Sequence, residues 1–375
     1  MISSAQLLKG LSDIGISRFT GVPCSYFSGP IALATSSPEF EYEAAVNEGT
    51  AISSAAGAYL AGAPTAVFMQ NSGFGNIVNP LTSLLLPYEL PVLVFISMRG
   101  WPSARSDEPQ HHWMGKLVPD WLRSLDIEHE VLSPEPNDLS QTLERARLTL
   151  QDGKSFFVLV GKDAIAGEPS STHTQQVEQG IARSDLVAAV IDAVDDSTPV
   201  LSTTGFMSRE LFAARDRDLN FYMQGSMGHL AAISLGIARH SPSRKVVLLD
   251  GDGAVLMHAG SLANLAGAAT HNVVHVVFNN GLYASTGGQA VVTNVDFALL
   301  GESLGYRSTW LANDQDLLRA HLKSAMSSHA NTLIVVTGGR DVSSAGGRAF
   351  ESISAGVLAE RFRTVLLREP DEAEE

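Results

Sequence analysis

Residues 246–289 constrain the fold of this chain more tightly than any other stretch. They read VVLLDGDGAVLMHAGSLANLAGAATHNVVHVVFNNGLYASTGGQ. An apolar, β-branched run at 246–249 stops at Asp250-Gly251-Asp252-Gly253. A helical pattern follows over 254–270. A second apolar run at 273–278 then ends in Asn279-Asn280-Gly281. Strand, turn, helix, strand and turn make one βαβ unit. The right-handed crossover places both turns at the same carboxyl edge of a parallel sheet, so Asp252 and Asn280 converge on a small volume. A carboxylate, an amide oxygen and bare glycine backbone at such an edge suit a hard divalent cation carrying phosphate oxygens. A Gly-Asp-Gly by itself also makes an ordinary strand-ending turn; the strand, helix, strand and Asn-Asn-Gly around it give the stretch its meaning.

Strand and helix alternate along the rest of the 375 residues. Apolar runs at 66–69, 91–97 and 156–160, with a short strand running into a turn at 18–23, read as strands of a first half. Runs at 199–203, 246–249, 273–278 and 333–337 read as strands of a second. Helical spacing marks 4–14, 43–60, 77–86, 183–194 and a small-residue segment ending at 238. Residues 99–112 are irregular, and too long to be a plain connector. The expected fold is α/β, two open parallel-sheet domains of similar size. Their expected limits are 1–165 and 182–367, with a polar linker at 166–181 and an acidic tail at 368–375.

Composition excludes several classes. The formal charge of −15, with no basic cluster to reverse it locally, argues against nucleic acid as a partner. The single cysteine, Cys24, leaves neither a disulfide framework nor a cysteine metal site. The first residues (MISSAQLLKGLSDIG) read as an amphipathic helix rather than a leader peptide, and no apolar run reaches the ~18 residues of a membrane span. The expectation is a cytoplasmic protein with no membrane partner. No G-x-G-x-x-G opens a helix after the first strand, so a dinucleotide site is not expected.

The strings GVPCS (21–25), NEG (47–49), MQNSGFGNIVNPLTSL (69–84), DEPQHH (107–112), STTGFMSREL (202–211), FYMQGSMGH (221–229), LLDGDGAVLMHAGSLA (248–263) and STGGQ (285–289) run through both halves in one order. Together they resemble the thiamine diphosphate-dependent phosphonopyruvate decarboxylases and the similar sulfopyruvate decarboxylases. The resemblance implies a pyrimidine-binding first domain, a diphosphate-binding second domain and no middle domain. It implies thiamine diphosphate and Mg²⁺ as cofactors, with Asp252, Asn280 and the Leu282 carbonyl as metal ligands. Thr204, Gly205, Gly253 and Ala254 would hold the diphosphate and nearby cofactor atoms. Gly225, Ser226, Met227 and Tyr283 would line the rest of the cofactor, with Met227 as the wedge that bends it. Taken alone, a methionine among small residues is as readily plain core, and His229 beside it as readily structural.

Glu48 would activate the cofactor through a ring nitrogen, a task suited to a carboxyl whose pKa is raised in an apolar setting. Without the resemblance, Glu48 reads as an acid at a helix start. Loss of CO₂ from a 2-oxo acid would then yield an aldehyde, phosphonoacetaldehyde in the case of 3-phosphonopyruvate. The substrate is a small anionic 2-oxo acid, and its second anionic group would meet donors from Ser25, Asn71, Ser72, Arg99, Arg105 and Gln289. His111 or His112 would serve in proton transfer. The resemblance also implies a homodimer or higher oligomer, with Glu48 and Asp252 entering one site from different subunits. Two departures stand out: Tyr283-Ala284 occupies the place of a His-Asp or His-Glu pair, and Cys24 that of a frequent aspartate. The alternatives are sulfopyruvate decarboxylation, or carboligation starting from another 2-oxo acid.

Overall fold

Four short, strongly apolar strands form the middle of each of two parallel sheets, and the residues they bury set the layers around them. In the computed structural model, residues 1–102, 107–132, 134–166, 180–291, 295–344 and 346–368 are described. The chain divides into two units, Met1–His173 and Thr174–Glu375.

The first unit contains β1 (Arg18–Gly21), β2 (Glu41–Ala44), β3 (Thr65–Gln70), β4 (Leu93–Ser97), β5 (Glu128–Leu132) and β6 (Phe156–Val160), in the order β2-β1-β3-β4-β6-β5. All pairings are parallel. Side chains alternate across the pleat. Phe68, Phe95, Phe156 and Val158 therefore enter one core with the helices Ser4–Asp13, Ser28–Ser36 and Pro136–Gln151. Val67, Met69, Val94, Ile96, Phe157 and Leu159 enter a second core with the helices Glu48–Leu60, Phe74–Pro80 and His112–Ser124. A sheet buried on both faces explains why these strands read as unbroken apolar runs.

The second unit contains β7 (Val200–Ser202), β8 (Asn220–Tyr222), β9 (Val246–Gly251), β10 (Val273–Asn279), the hairpin β11 (Leu282–Tyr283) and β12 (Gln289–Ala290), β13 (Ser308–Ala312) and β14 (Thr332–Thr337). Its sheet runs β13-β14-β10-β9-β7-β8, all parallel. Read from the β8 end, with the hairpin set aside, this is the order of the first unit strand for strand. The sequence shows no repeat, but the topology does. In each sheet the chain first reverses its direction of travel between β1 and β3 and between β7 and β9. The carboxyl ends flanking such a point form the crevice where α/β sheets bind ligands.

Several elements differ from the sequence reading. Residues 41–44 pair as β2, and the helix begins only at Glu48. The segment 77–86 divides into the helix Phe74–Pro80 and a π-helical turn, Leu81–Leu85. The segment 254–270 is two helices, Asp252–Met257 and Gly260–Ala266. The residues of the expected linker between 167 and 179 lie outside the described residues, as do 369–375 of the tail.

Gly21 shows how closely the central strands approach. It pairs with Phe68, and a Cβ at Gly21 would fall 1.9 Å from the Phe68 carbonyl oxygen, a backbone atom that cannot swing aside. Gly21→Ala is therefore expected to lower the stability of the protein by about 3 kcal/mol, measured by denaturant unfolding. A loss near zero would show that β1 and β3 are not packed as described.

Candidate active site

In the first unit, the carboxyl edge of the sheet gathers the residues that follow β1, β2, β3 and β4. Asn47 caps the helix Glu48–Leu60 by accepting from Thr50 N at 2.8 Å, which makes Glu48 the first helical residue. Glu48 is 5 % exposed, and its Oε2 accepts from Asn76 Nδ2 at 2.7 Å. Gly73 lies directly against it, since a Cβ there would fall 2.2 Å from the Glu48 carboxyl. Burial raises the Glu48 pKa above its ordinary value, and the Asn76 hydrogen bond opposes the rise without cancelling it. The raised pKa favours the protonated form of this carboxyl.

The segment after β4 is built around a carboxylate. Asp107 takes both Nε and Nη2 of Arg99, at 2.8 and 2.7 Å, and His111 Nδ1 at 2.9 Å. The Arg99 fork expected to hold a substrate anion therefore faces Asp107, and its guanidinium also lies 5.6 Å from the centre of the Tyr26 ring. His111 is buried, whereas His112 is exposed with its ring edge against Trp113. Asn71 is fully buried; its Nδ2 donates to the Arg99 carbonyl at 2.7 Å, and its Oδ1 has no partner among the described residues. Ser72 is exposed and donates to Gln70 Oε1 at 2.6 Å, and Ser25 is exposed just past the end of β1. Cys24 is buried, 2.9 Å from Ser97 Oγ. Arg105 lies outside the described residues.

In the second unit, β9 and β10 pair, so the residues that follow them are neighbours. Asp252, 3 % exposed, accepts from Gly253 N and Gly281 N, each at 2.6 Å. Asn280 is also buried, with Leu282 N donating to its Oδ1 at 3.1 Å. Burial, with a smaller contribution from the Asp250 charge, outweighs these amide bonds, and the Asp252 pKa is pushed up to about 6. Thr204 and Gly205 follow β7 at the reversal point, with Gly205 at φ 84°. Gly225, Ser226 and Met227 follow β8, with Ser226 at φ 57° and Met227 half-buried. Ala254 is buried within the short helix that Asp252 begins. The Tyr283 ring covers Gly253, where a Cβ would sit 2.6 Å from Cε1. Gln289 turns its amide back onto Thr286, accepting from Oγ1 at 2.9 Å and donating to the carbonyl at 3.0 Å. The His229 ring lies tilted beside that of His258, ring centres 4.3 Å apart, with its Nδ1 3.2 Å from Ser226 Oγ.

Asp107, Asn76, Gly73 and Tyr26 escaped the sequence reading as site residues. Asp107 alone left a legible trace, four positions before His111 in DEPQHH.

The donors in the second unit fit a hard cation. One carboxylate and one amide oxygen lie side by side, with no nitrogen or sulfur ligand in the set. No group of three His, Cys, Asp or Glu side chains among the described residues could hold a metal by itself. An ion bound here would need backbone and ligand oxygens to complete its shell.

Residues 204–336 match the model of the thiamine pyrophosphate enzyme C-terminal TPP binding domain. The edge carrying Thr204, Asp252 and Asn280 is thus part of a thiamine diphosphate-binding domain. The chain is similar to the phosphonopyruvate decarboxylase of Streptomyces viridochromogenes, 36% identical over 99% of this chain and 96% of that one. It is also similar to the phosphonopyruvate decarboxylase of Streptomyces hygroscopicus, at 37% over 89% and 87%. The sulfopyruvate decarboxylase of Methanosarcina acetivorans is 25% identical over 83% and 84%. The chain belongs to the phosphonopyruvate decarboxylase family, and it is a thiamine diphosphate-dependent decarboxylase. No described helix is long and apolar enough to cross a membrane.

The raised Asp252 pKa carries a sign that can be checked. Its folded-state value lies above the ordinary 3.8, so its contribution to stability is complete below that value and is lost as pH rises through about 6. Without cation or cofactor, Asp252→Asn is expected to be more stable than the unchanged protein at neutral pH by roughly 2 kcal/mol, a gap that closes as pH falls toward about 4. Chemical unfolding in EDTA across that range tests it; a variant less stable at neutral pH would contradict the burial of an uncompensated carboxylate.

Proposed function

We propose that this enzyme decarboxylates 3-phosphonopyruvate to phosphonoacetaldehyde and CO₂, using thiamine diphosphate and Mg²⁺. The observation that carries the reading is the similarity to phosphonopyruvate decarboxylases along nearly the whole chain, closer than that to the sulfopyruvate enzyme. In this reading Asp252, Asn280 and the Leu282 carbonyl hold Mg²⁺, and Thr204, Gly205, Gly253 and Ala254 meet the diphosphate. Gly225, Ser226, Met227 and Tyr283 surround the rest of the cofactor. Its bound form supplies an electron sink for the pair released when the carbon–carboxylate bond breaks.

The chain's own residues supply positioning and protons. Glu48, buried and with a raised pKa, exchanges a proton with the pyrimidine ring nitrogen. Asp252, held beside Mg²⁺, would return to its carboxylate form, since an adjacent cation favours the charge. The phosphonate meets the exposed Ser25 and Ser72, with Arg105 as a further donor; Asn71, Arg99 and Gln289, expected in the same role, are engaged by the Arg99 carbonyl, Asp107 and Thr286 instead. His111 rather than His112 serves as the proton-transfer residue, because it is buried and oriented by Asp107. The working protein is a homodimer or a larger assembly in which Glu48 of one subunit serves the same site as Asp252 of another. The Tyr283 ring stands over Gly253, and transfer of the substrate carbon to a second aldehyde is the alternative outcome of the same chemistry.

Purified protein with thiamine diphosphate and Mg²⁺ is expected to release CO₂ from 3-phosphonopyruvate, and to do so faster than from sulfopyruvate. Preference for sulfopyruvate would overturn the substrate assignment. Glu48→Gln and Asp252→Ala are each expected to lose at least ~10²-fold in kcat. After subunit exchange a mixture of the two should regain up to about a quarter of normal activity, because half of the mixed dimers' sites are intact. No recovery in a mixture shown to exchange would place both residues in one chain's site.

A further inference from the structure

Asp107 ties the segment after β4 into one polar cluster. Besides Arg99 and His111, its carboxylate accepts from the backbone N–H groups of Gly100 at 2.8 Å and Glu108 at 2.7 Å. The backbone around it is clamped. A Cβ at Gly100 would fall 2.5 Å from the His111 carbonyl oxygen, and one at Gly115 would fall 2.4 Å from the Gly100 carbonyl oxygen. The Asn71 amide fixes the Arg99 carbonyl from the opposite side.

The hydrogen-bond chemistry then decides the protonation of the imidazole. Burial pushes the Asp107 carboxyl up, but Arg99, His111 and the two backbone amides more than offset it and hold it well below the usual range. An ionised carboxylate only accepts, so the proton between the two side chains resides on His111 Nδ1. Among the described residues, the charged groups that act on the ring are Asp107, Arg99 and Glu108. Burial outweighs the attraction of Asp107 and lowers the His111 pKa, which leaves the ring neutral and Nε2 bare.

We propose that Asp107 is a positioning residue for the decarboxylation: it fixes His111 as the Nδ1-protonated tautomer and occupies the Arg99 fork, so that Nε2 is the proton acceptor offered to the substrate. The inference rests on the reading above, in which this edge of the first unit faces the reacting carbon. On product release the bond joining that carbon to the bound cofactor would break, its electron pair returning to the cofactor, while Nε2 would take the proton of the hydroxyl on that carbon as the carbonyl forms and later pass it to water. The O–H bond breaks, an N–H bond forms, and the Asp107 charge balances the imidazolium in between. Glu108 and Gln110 share the loop with Asp107 and bond to each other, and neither side chain is needed for this role.

The test is a ¹⁵N spectrum of the histidine rings in the full chain loaded with thiamine diphosphate and Mg²⁺, with His111→Gln used for assignment. The unchanged protein is expected to show His111 protonated at Nδ1 and bare at Nε2. Asp107→Asn is expected to lose that single tautomer and to lower kcat by ~10²-fold, with KM altered less than about threefold. Asp107→Glu, which keeps the charge and the acceptor, is expected to restore the tautomer and part of the rate. A ring protonated at Nε2 in the unchanged protein would overturn the proposal, as would an Asp107→Asn variant with tautomer and kcat unaltered. If Asp107→Asn does not fold, the spectra of the unchanged protein and of Asp107→Glu decide. If 3-phosphonopyruvate is not turned over, the substrate assignment fails, while the tautomer still decides for or against Asp107.

Discussion

Asp252 is a buried carboxylate with no cationic side chain paired to it among the described residues. Its oxygens rest on backbone N–H groups, Asp250 lies close enough to repel it, and its pKa rises accordingly. A buried charge without a partner is expensive, and a fold keeps one where a ligand will compensate it. The compensation this edge can accept is narrow. Beside Asp252 stand the Asn280 amide oxygen and glycine backbone, donors matched to a hard cation and its phosphate oxygens. The βαβ crossover brings Asp252 and Asn280 together, and the paired strands β9 and β10 hold them in register.

The same strand order occurs in both units, yet the two carboxyl edges carry different chemistry. After β9 comes Asp252, and after its counterpart β3 comes Asn71. After β10 comes Asn280, and after its counterpart β4 comes the Arg99–Asp107–His111 cluster. Glu48 follows β2 at the position where Gly225-Ser226-Met227 follows β8. One topology thus presents an acidic, cation-seeking edge in the second unit. In the first it presents an edge with one carboxyl raised in pKa and one depressed. Two carboxyls pushed in opposite directions by their surroundings can serve different proton-transfer roles at one pH.

The strands legible in the sequence were the inner four of each sheet. The four that escaped notice, β2, β5, β8 and β13, are the sheet edges. An inner strand is buried on both faces and reads as an apolar run. An edge strand such as EYEA or EHEVL alternates with solvent and carries charge, which also guards it against pairing with another chain. Within the site, the metal-suited turn was legible because local backbone rules place it. The partners of Arg99 and Gln289 were not. An arginine near an anion site reads the same in sequence whether its fork is open or already closed on Asp107. Gln289 likewise gives no sign that its amide folds back on Thr286. Such contacts depend on loop geometry, which no periodicity encodes.

The most direct measurement of the Asp252 assignment is calorimetric titration of thiamine diphosphate into the unchanged protein and into Asp252→Ala, each in Mg²⁺ and in EDTA. In the unchanged protein the affinity is expected to fall more than about tenfold when Mg²⁺ is removed, and in Asp252→Ala it should already be weak and indifferent to the metal. Equal, Mg²⁺-dependent affinity in both proteins would contradict a cation held by Asp252.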